Sequence, residues 1–267
     1  MRVRLWSWSA VVTQILQTGI AFDIGSLGSR ELVRLFHEAS SYVQGLAVEI
    51  VRDQGIHHGM EKIMAILVGI GSSMPTIRFL DSLEREKQVE AIAHELAHLL
   101  LIHRFGLKLI RQKRPYSAGP EQNSLTRLSH NGFSLLGQIG NTAHHLILVD
   151  YLRERHAIGS DLHCRLLHRH FLFFCYRSHM LTKEAREDME SLYREGIIAF
   201  EYGKILGRFE GVRNMLYQMD FFRKAVRAAE THFGKYCLEA LPTPSSYEED
   251  VLSLLRDLGY EREDFVL

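Results

Sequence analysis

The stretch Glu90-Ala91-Ile92-Ala93-His94-Glu95-Leu96-Ala97-His98-Leu99-Leu100-Leu101 sets two histidines four residues apart, with a glutamate directly after the first. The segment should be helical. At about 100° of rotation per residue, His94 and His98 then stand about 40° apart on one face, so both imidazoles can reach one ion. Glu95 sits beside them. With 15 histidines in 267 residues a His-x-x-x-His pattern is cheap, so the weight of the motif comes from its surroundings.

Upstream, residues 62–69 (Lys-Ile-Met-Ala-Ile-Leu-Val-Gly) read as a buried strand, and residues 75–80 (Pro-Thr-Ile-Arg-Phe-Leu) as a second, partly alternating one. The helix that follows has a polar start at Glu84-Arg85-Glu86-Lys87-Gln88. It then carries an apolar band of Val89, Ile92, Ala93, Leu96, Leu99 and Leu100, with the histidine face next to it. Downstream, residues 140–155 read as an amphipathic helix rich in ligand-type side chains: Asn141, His144, His145, Asp150 and Glu154.

The motif with its flanking small and Leu-rich residues resembles the active-site helix of zincin metallopeptidases, including the ImmA/IrrE-like group, and the resemblance spans residues 60–155. It implies that His94 and His98 hold Zn²⁺ while Glu95 is the general base of peptide-bond hydrolysis. The metzincin pattern departs at Leu101 and Arg104, where Gly and His would stand. His103 is no substitute, because it points about 180° away from His94 on the same helix. ImmA/IrrE-like chains present a glutamate ligand followed by an Ala-Asn-x-Phe-Ala-like run, whereas here Glu121 is followed by Gln122-Asn123-Ser124-Leu125.

Catalytic zinc takes three protein ligands and leaves one position open, so a third must come from elsewhere. His145 is favoured: with Asn141 four residues before it, it shares a face with Leu148 and Leu152, which turns it inward. His144, Asp150 and Glu154 follow in that order, with Glu121 as a weaker alternative. His144 and Tyr151 are the available donors toward an oxyanion. Farther on, His163, Cys164, His168 and His170 cluster, with Cys164 and His168 at i and i+4. No C-x-x-C pair accompanies them, and they read as the polar flank of a buried stripe of Leu162, Leu166, Leu167, Phe171, Phe173 and Phe174.

The composition, 46% hydrophobic with zero formal net charge, allows one large core or two modest ones and signals neither nucleic acid nor membrane. The basic run Lys108, Arg111, Lys113 and Arg114 reads as solvated loop. Three widely spaced cysteines (Cys164, Cys175, Cys237) point to a reducing compartment and so to the cytoplasm. The first 12 residues superficially resemble a secretory leader, yet Gln14 and Gln17 interrupt the apolar stretch and they read as mature sequence. No run reaches 18 apolar residues, so no transmembrane helix is expected.

A helix should start at Ser29 and keep its spacing through Leu32, Val33, Leu35, Phe36, Val43, Leu46, Ile50 and Val51 to Gly55. Residues 106–131 should form an extended connector. Residues 161–241 read as helical with breaks near 178–182 and 207–211, and Ser246 with Glu249 as a capping box for a last helix ending near Gly259. The expectation is a mostly helical α+β protein: a minimal zincin-like core with a small sheet over residues 1–160, and a helical region, residues 161–267, packed on it. The expected activity is zinc-dependent hydrolysis of a protein or peptide, with Glu95 as base and His94, His98 and His145 as ligands. The alternatives are a non-catalytic interaction protein that keeps the zincin fold and binds a protein partner through its helical region, or a metal centre in the His-rich stretch 144–170 alone.

Overall fold

The computed structural model describes residues 19–52, 65–69, 74–108, 111–112, 135–180, 189–207, 220–261 and 265–266. It is mostly helical with a small sheet of mixed direction. Helix α1 (Arg30–Tyr42) begins at Ser29, whose side chain accepts from the Leu32 backbone N–H, which satisfies one of the N–H groups left open at a helix start. The spacing of apolar residues predicts a helix up to Gly55, and there the structure differs. The chain turns at Gly45, which adopts φ 68°, and Ala47–Val51 form strand β2. β-branched Val48, Ile50 and Val51 fit a pleated, half-buried surface better than a helix.

The sheet runs β1-β2-β4-β3, with β1 Ile20–Ala21, β3 Ala65–Val68 and β4 Thr76–Leu80. Parallel pairing of β2 with β4 sets Glu49 opposite Arg78 and Ile50 opposite Phe79. Ile77 and Phe79 on β4 are fully buried, while Arg78 donates to Glu49 Oε2 at 2.7 Å on the other face, the alternation a strand imposes when one face carries the core. Among the described residues strand β3 pairs only with β4 and forms the edge. A second, two-stranded pairing joins β5 (Arg111–Gln112) to β6 (Phe265–Val266).

Helix α2 (Arg85–His103) packs on β3 and β4 and against α1, and its residues Ala91–Ala93, Leu96–Leu101 are buried almost all round. This is why its apolar residues outrun a single stripe: a helix covered on several sides needs no polar face along most of its length. Helix α3 (Leu135–His156) lies against α1, α2 and α5 (Met189–Ile205), α4 (Asp161–Met180) against α2 and α5, and α6 (Asp220–Phe233) between α5 and α7 (Pro244–Leu258). The cap of α7 is Thr243, whose Oγ1 accepts from Ser246 N at 3.2 Å. The cap thus precedes the expected Ser246 by three residues, because Pro244 already has the helical φ that suits the first turn. The helix ends before Gly259, as expected.

After α2 the chain turns through Gly106, at φ 74°, where an added Cβ would come 2.9 Å from Pro244 Cγ. Only glycine serves both demands there. The turn buries Leu107 and points its carbonyl inward at α3, a detail on which the site depends. Elsewhere, Glu38 of α1 takes the Tyr151 hydroxyl at 2.6 Å and pairs with Arg104, joining α1, α2 and α3. Most of the expected connector over residues 106–131, with Glu121, lies outside the described residues, as do the first 18 residues.

Candidate metal centre

Four helices bring their polar side chains to one place. Helix α2 contributes His94, Glu95 and His98, α3 contributes His144 and His145, α4 contributes His163, and α5 contributes Glu201. The rings of His94, His98 and His145 form a near-equilateral triangle, with centroid separations of 4.8, 4.9 and 5.1 Å. Three imidazoles sharing one tetrahedral ion at bond lengths of about 2.0–2.1 Å would place their centroids about 5 Å apart. His94 Nε2 and His98 Nε2 are 3.2 Å apart, close to the roughly 3.3 Å edge of such a tetrahedron. In the metal-free chain the same distance suits an N–H···N hydrogen bond that an ion would replace.

The other nitrogens of these rings are held by partners that decide which atoms stay free. The Leu107 carbonyl, which can only accept, lies 3.0 Å from His144 Nε2. His144 therefore carries its proton on Nε2 and offers Nδ1 as an acceptor. His98 Nδ1 lies 3.1 Å from that acceptor and donates to it, so the lone pair of His98 remains on Nε2, facing His94. Burial and the neighbouring imidazoles keep both rings neutral: His98 is pushed well below the usual histidine value, and His144 down to about 3.

A matching arrangement lies on the opposite side. Glu201 Oε1 accepts from His145 Nδ1 at 2.6 Å and from His163 Nε2 at 3.1 Å. Its Oε2 accepts from Thr142 Oγ1 at 2.6 Å and Gln138 Nε2 at 3.3 Å. Burial works against this carboxylate's charge, yet the charge and hydrogen bonds of His145 and His163 hold it well below its usual range. An ionised, four-fold hydrogen-bonded carboxylate is stable in the interior. It turns His145 Nε2 and His163 Nδ1 away from itself, the carboxylate–histidine pairing that orients metal ligands. One ligand nitrogen from each of His94, His145 and His163 lies within 4.8 Å of the other two, a group that can hold a metal ion.

Glu95 faces the edge of the sheet, where its carboxylate accepts from the Leu67 backbone N–H of β3. Burial pushes its pKa up to about 7 against the opposing influence of His145 and that hydrogen bond. The side chain still borders solvent. A carboxyl poised near neutrality can both take and return a proton.

The residues expected from sequence divide clearly. The rings of His94, His98 and His145 lie together, but the ligand nitrogens that converge are those of His94, His145 and His163, with His98 outside that group, while His144 stands behind His98 with both nitrogens engaged. Tyr151 is engaged with Glu38 and Arg104. Asp150 is paired with Arg153, and Glu154 and His103 are exposed. The cluster expected around Cys164 separates: His168 bonds Tyr202 at 3.0 Å and His170 bonds Glu195 at 2.8 Å, while Cys164 is free.

Sequence spacing does not point to His163 or Glu201. His163 reads as part of the polar flank of its helix, and no motif spacing ties it to residues 94–98. Glu201 did carry a signal, since it interrupts the apolar run Ile197-Ile198-Ala199-Phe200; a carboxylate there is buried only with partners. No family model, curated protein or solved structure matches the chain. No helix among the described residues is long and apolar enough to cross a membrane.

Proposed function

We propose that the protein is a zinc-dependent peptidase in which His94, His98 and His145 hold the ion and Glu95 is the general base. The observation that carries this is the gathering of the His94, His98 and His145 rings, with centroids 4.8, 4.9 and 5.1 Å apart, beside a carboxyl poised near neutrality. When bound, zinc supplies Lewis-acid chemistry, acidifying water and polarising a carbonyl. Glu95 takes the proton of the attacking water and returns it to the leaving amine. Leu67 N–H keeps that carboxylate turned toward the edge strand β3. An edge strand offers backbone groups with which an extended peptide can pair, and this supports a peptide or protein as the substrate class. Three cysteines without a disulfide framework support a cytoplasmic setting.

The test compares wild type with Glu95→Gln, which keeps size and polarity but removes the base. Zinc content and thermal unfolding should stay near wild type, while cleavage should fall by about 10² or more, read as newly formed termini across a cell extract. Termini that appear equally with both proteins, or with neither, sink the peptidase reading. His163 favours a second reading, because a fourth imidazole beside the ion is the pattern of a closed structural centre. The chain would then be an interaction protein that keeps its metal for stability.

A further inference from the structure

His163 lies in the first turn of α4, and its ring stacks on His94 with centroids 5.0 Å apart at an interplanar angle of 29°. Its centroid is 4.3 Å from that of His145. The imidazole thus fills space beside the ion position that a catalytic centre leaves to water. Its placement is built rather than incidental. Glu90, one turn before His94 on α2, accepts from the Leu162 backbone N–H at 2.6 Å, which ties the start of α4 to the metal-binding helix. Glu201 takes the His163 Nε2 proton and turns Nδ1 away from itself. The same carboxylate oxygen therefore prepares His145 and His163 together.

We propose that His163 is a fourth, displaceable metal ligand, so that the resting centre is closed by His94, His98, His145 and His163 and opens when a substrate carbonyl or water takes the place of His163. The proposal rests on the metal centre described above and adds its regulation. His163 is the ligand to be released, because the other three belong to the two helices of the main core. His145 is also held more tightly, at 2.6 Å from Glu201 against 3.1 Å for His163. No proton need be lost or gained: His163 keeps its Nε2 proton on Glu201 in both states, and only the bond from Nδ1 to the ion is exchanged for one from oxygen.

The test loads the full-length protein, labelled with ¹⁵N-histidine, with ¹¹³Cd²⁺ and reads scalar coupling from the metal to each ring nitrogen. Coupling to four histidines, His163 among them, is expected. Coupling to His94, His98 and His145 without His163 overturns this proposal and leaves the peptidase reading standing. Absence of coupling to His94 and His98 overturns both. A second arm uses Co²⁺-loaded protein and azide. Azide should shift the visible spectrum of His163→Ala, in which a solvent position has opened, at low concentration, and that of wild type only at clearly higher concentration, where it displaces the imidazole; a wild type that never responds overturns the displacement. A wild-type spectrum that already responds as the variant does is the contrary result.

Discussion

At the scale of single residues, the two adjacent histidines of α3 show how little distance separates a proposed ligand from its proposed support. His145 Nε2 faces the centre because Glu201 holds Nδ1, whereas His144 has Nε2 on the Leu107 carbonyl and Nδ1 on His98. His145→Ala should remove a ligand and lower zinc affinity the more strongly of the two. His144→Ala should still weaken binding by about 10- to 100-fold, as loss of a ligand's hydrogen-bond partner does, because His98 loses the acceptor that keeps its proton on Nδ1. Chelator competition at fixed pH measures both. Unchanged affinity in His144→Ala contradicts the relay, and a larger loss there than in His145→Ala moves the ligand to His144. The inward position of His145 was legible from its sharing a face with Leu148 and Leu152. The role of His144 was not, since its partner is a backbone carbonyl 37 positions away.

Among elements, α2 and α4 are coupled through Glu90 and Leu162, and the coupling is a helix cap supplied from another helix. Glu90→Ala leaves the Leu162 N–H without its acceptor, and removing a side-chain cap costs about 0.5–2 kcal/mol. Urea unfolding should show that loss, with Glu90→Gln retaining most of the stability because an amide oxygen still accepts. Equal stability in wild type and Glu90→Ala argues against the cap. Thr243→Ala at the start of α7 should cost a similar amount by the same mechanism. Element type was read correctly wherever period and length agreed, as in α2, α3 and β4. It failed where α1 gives way to β2, since Val43, Leu46, Ile50 and Val51 continue a helical spacing while their side chains prefer a sheet. The deciding interaction there, the pairing of β2 with β4, is 29 residues distant in sequence for Glu49 and Arg78.

For the molecule as a whole, the cluster stores a pH dependence whose sign follows from burial. His94, His98, His144 and His163 are held below the ordinary value of 6.5, in each case chiefly by burial. As pH falls through 6.5 the unfolded chain takes up a proton on each, while the folded, metal-free chain does not, so stability present above 6.5 is lost below it. Glu95 works the other way. Raised from 4.5 to about 7, it favours the folded state at low pH, and that contribution fades as pH rises through about 7. Each proton counts for about 1.4 kcal/mol per pH unit, so four histidines outweigh one carboxyl. Metal-free protein should therefore show a urea midpoint that drops between pH 7 and pH 5, and bound zinc should oppose the drop by holding the imidazoles unprotonated. A midpoint that stays level across that range contradicts the neutral buried cluster.

The sequence alone determined the helical character of the chain, the small sheet before α2, and the placing of His94, Glu95 and His98 on one helix. These depend on spacing within one helix, where 3.6 residues per turn converts separation along the chain into direction. The tertiary structure decided which residues gather around them. His163 and Glu201 reach it from α4 and α5, through packing against α2 and α3, and no local periodicity records which helices meet. A hydrogen-bonded cluster drawn from four helices is specified by how their apolar faces fit together, and that information is distributed over the whole core.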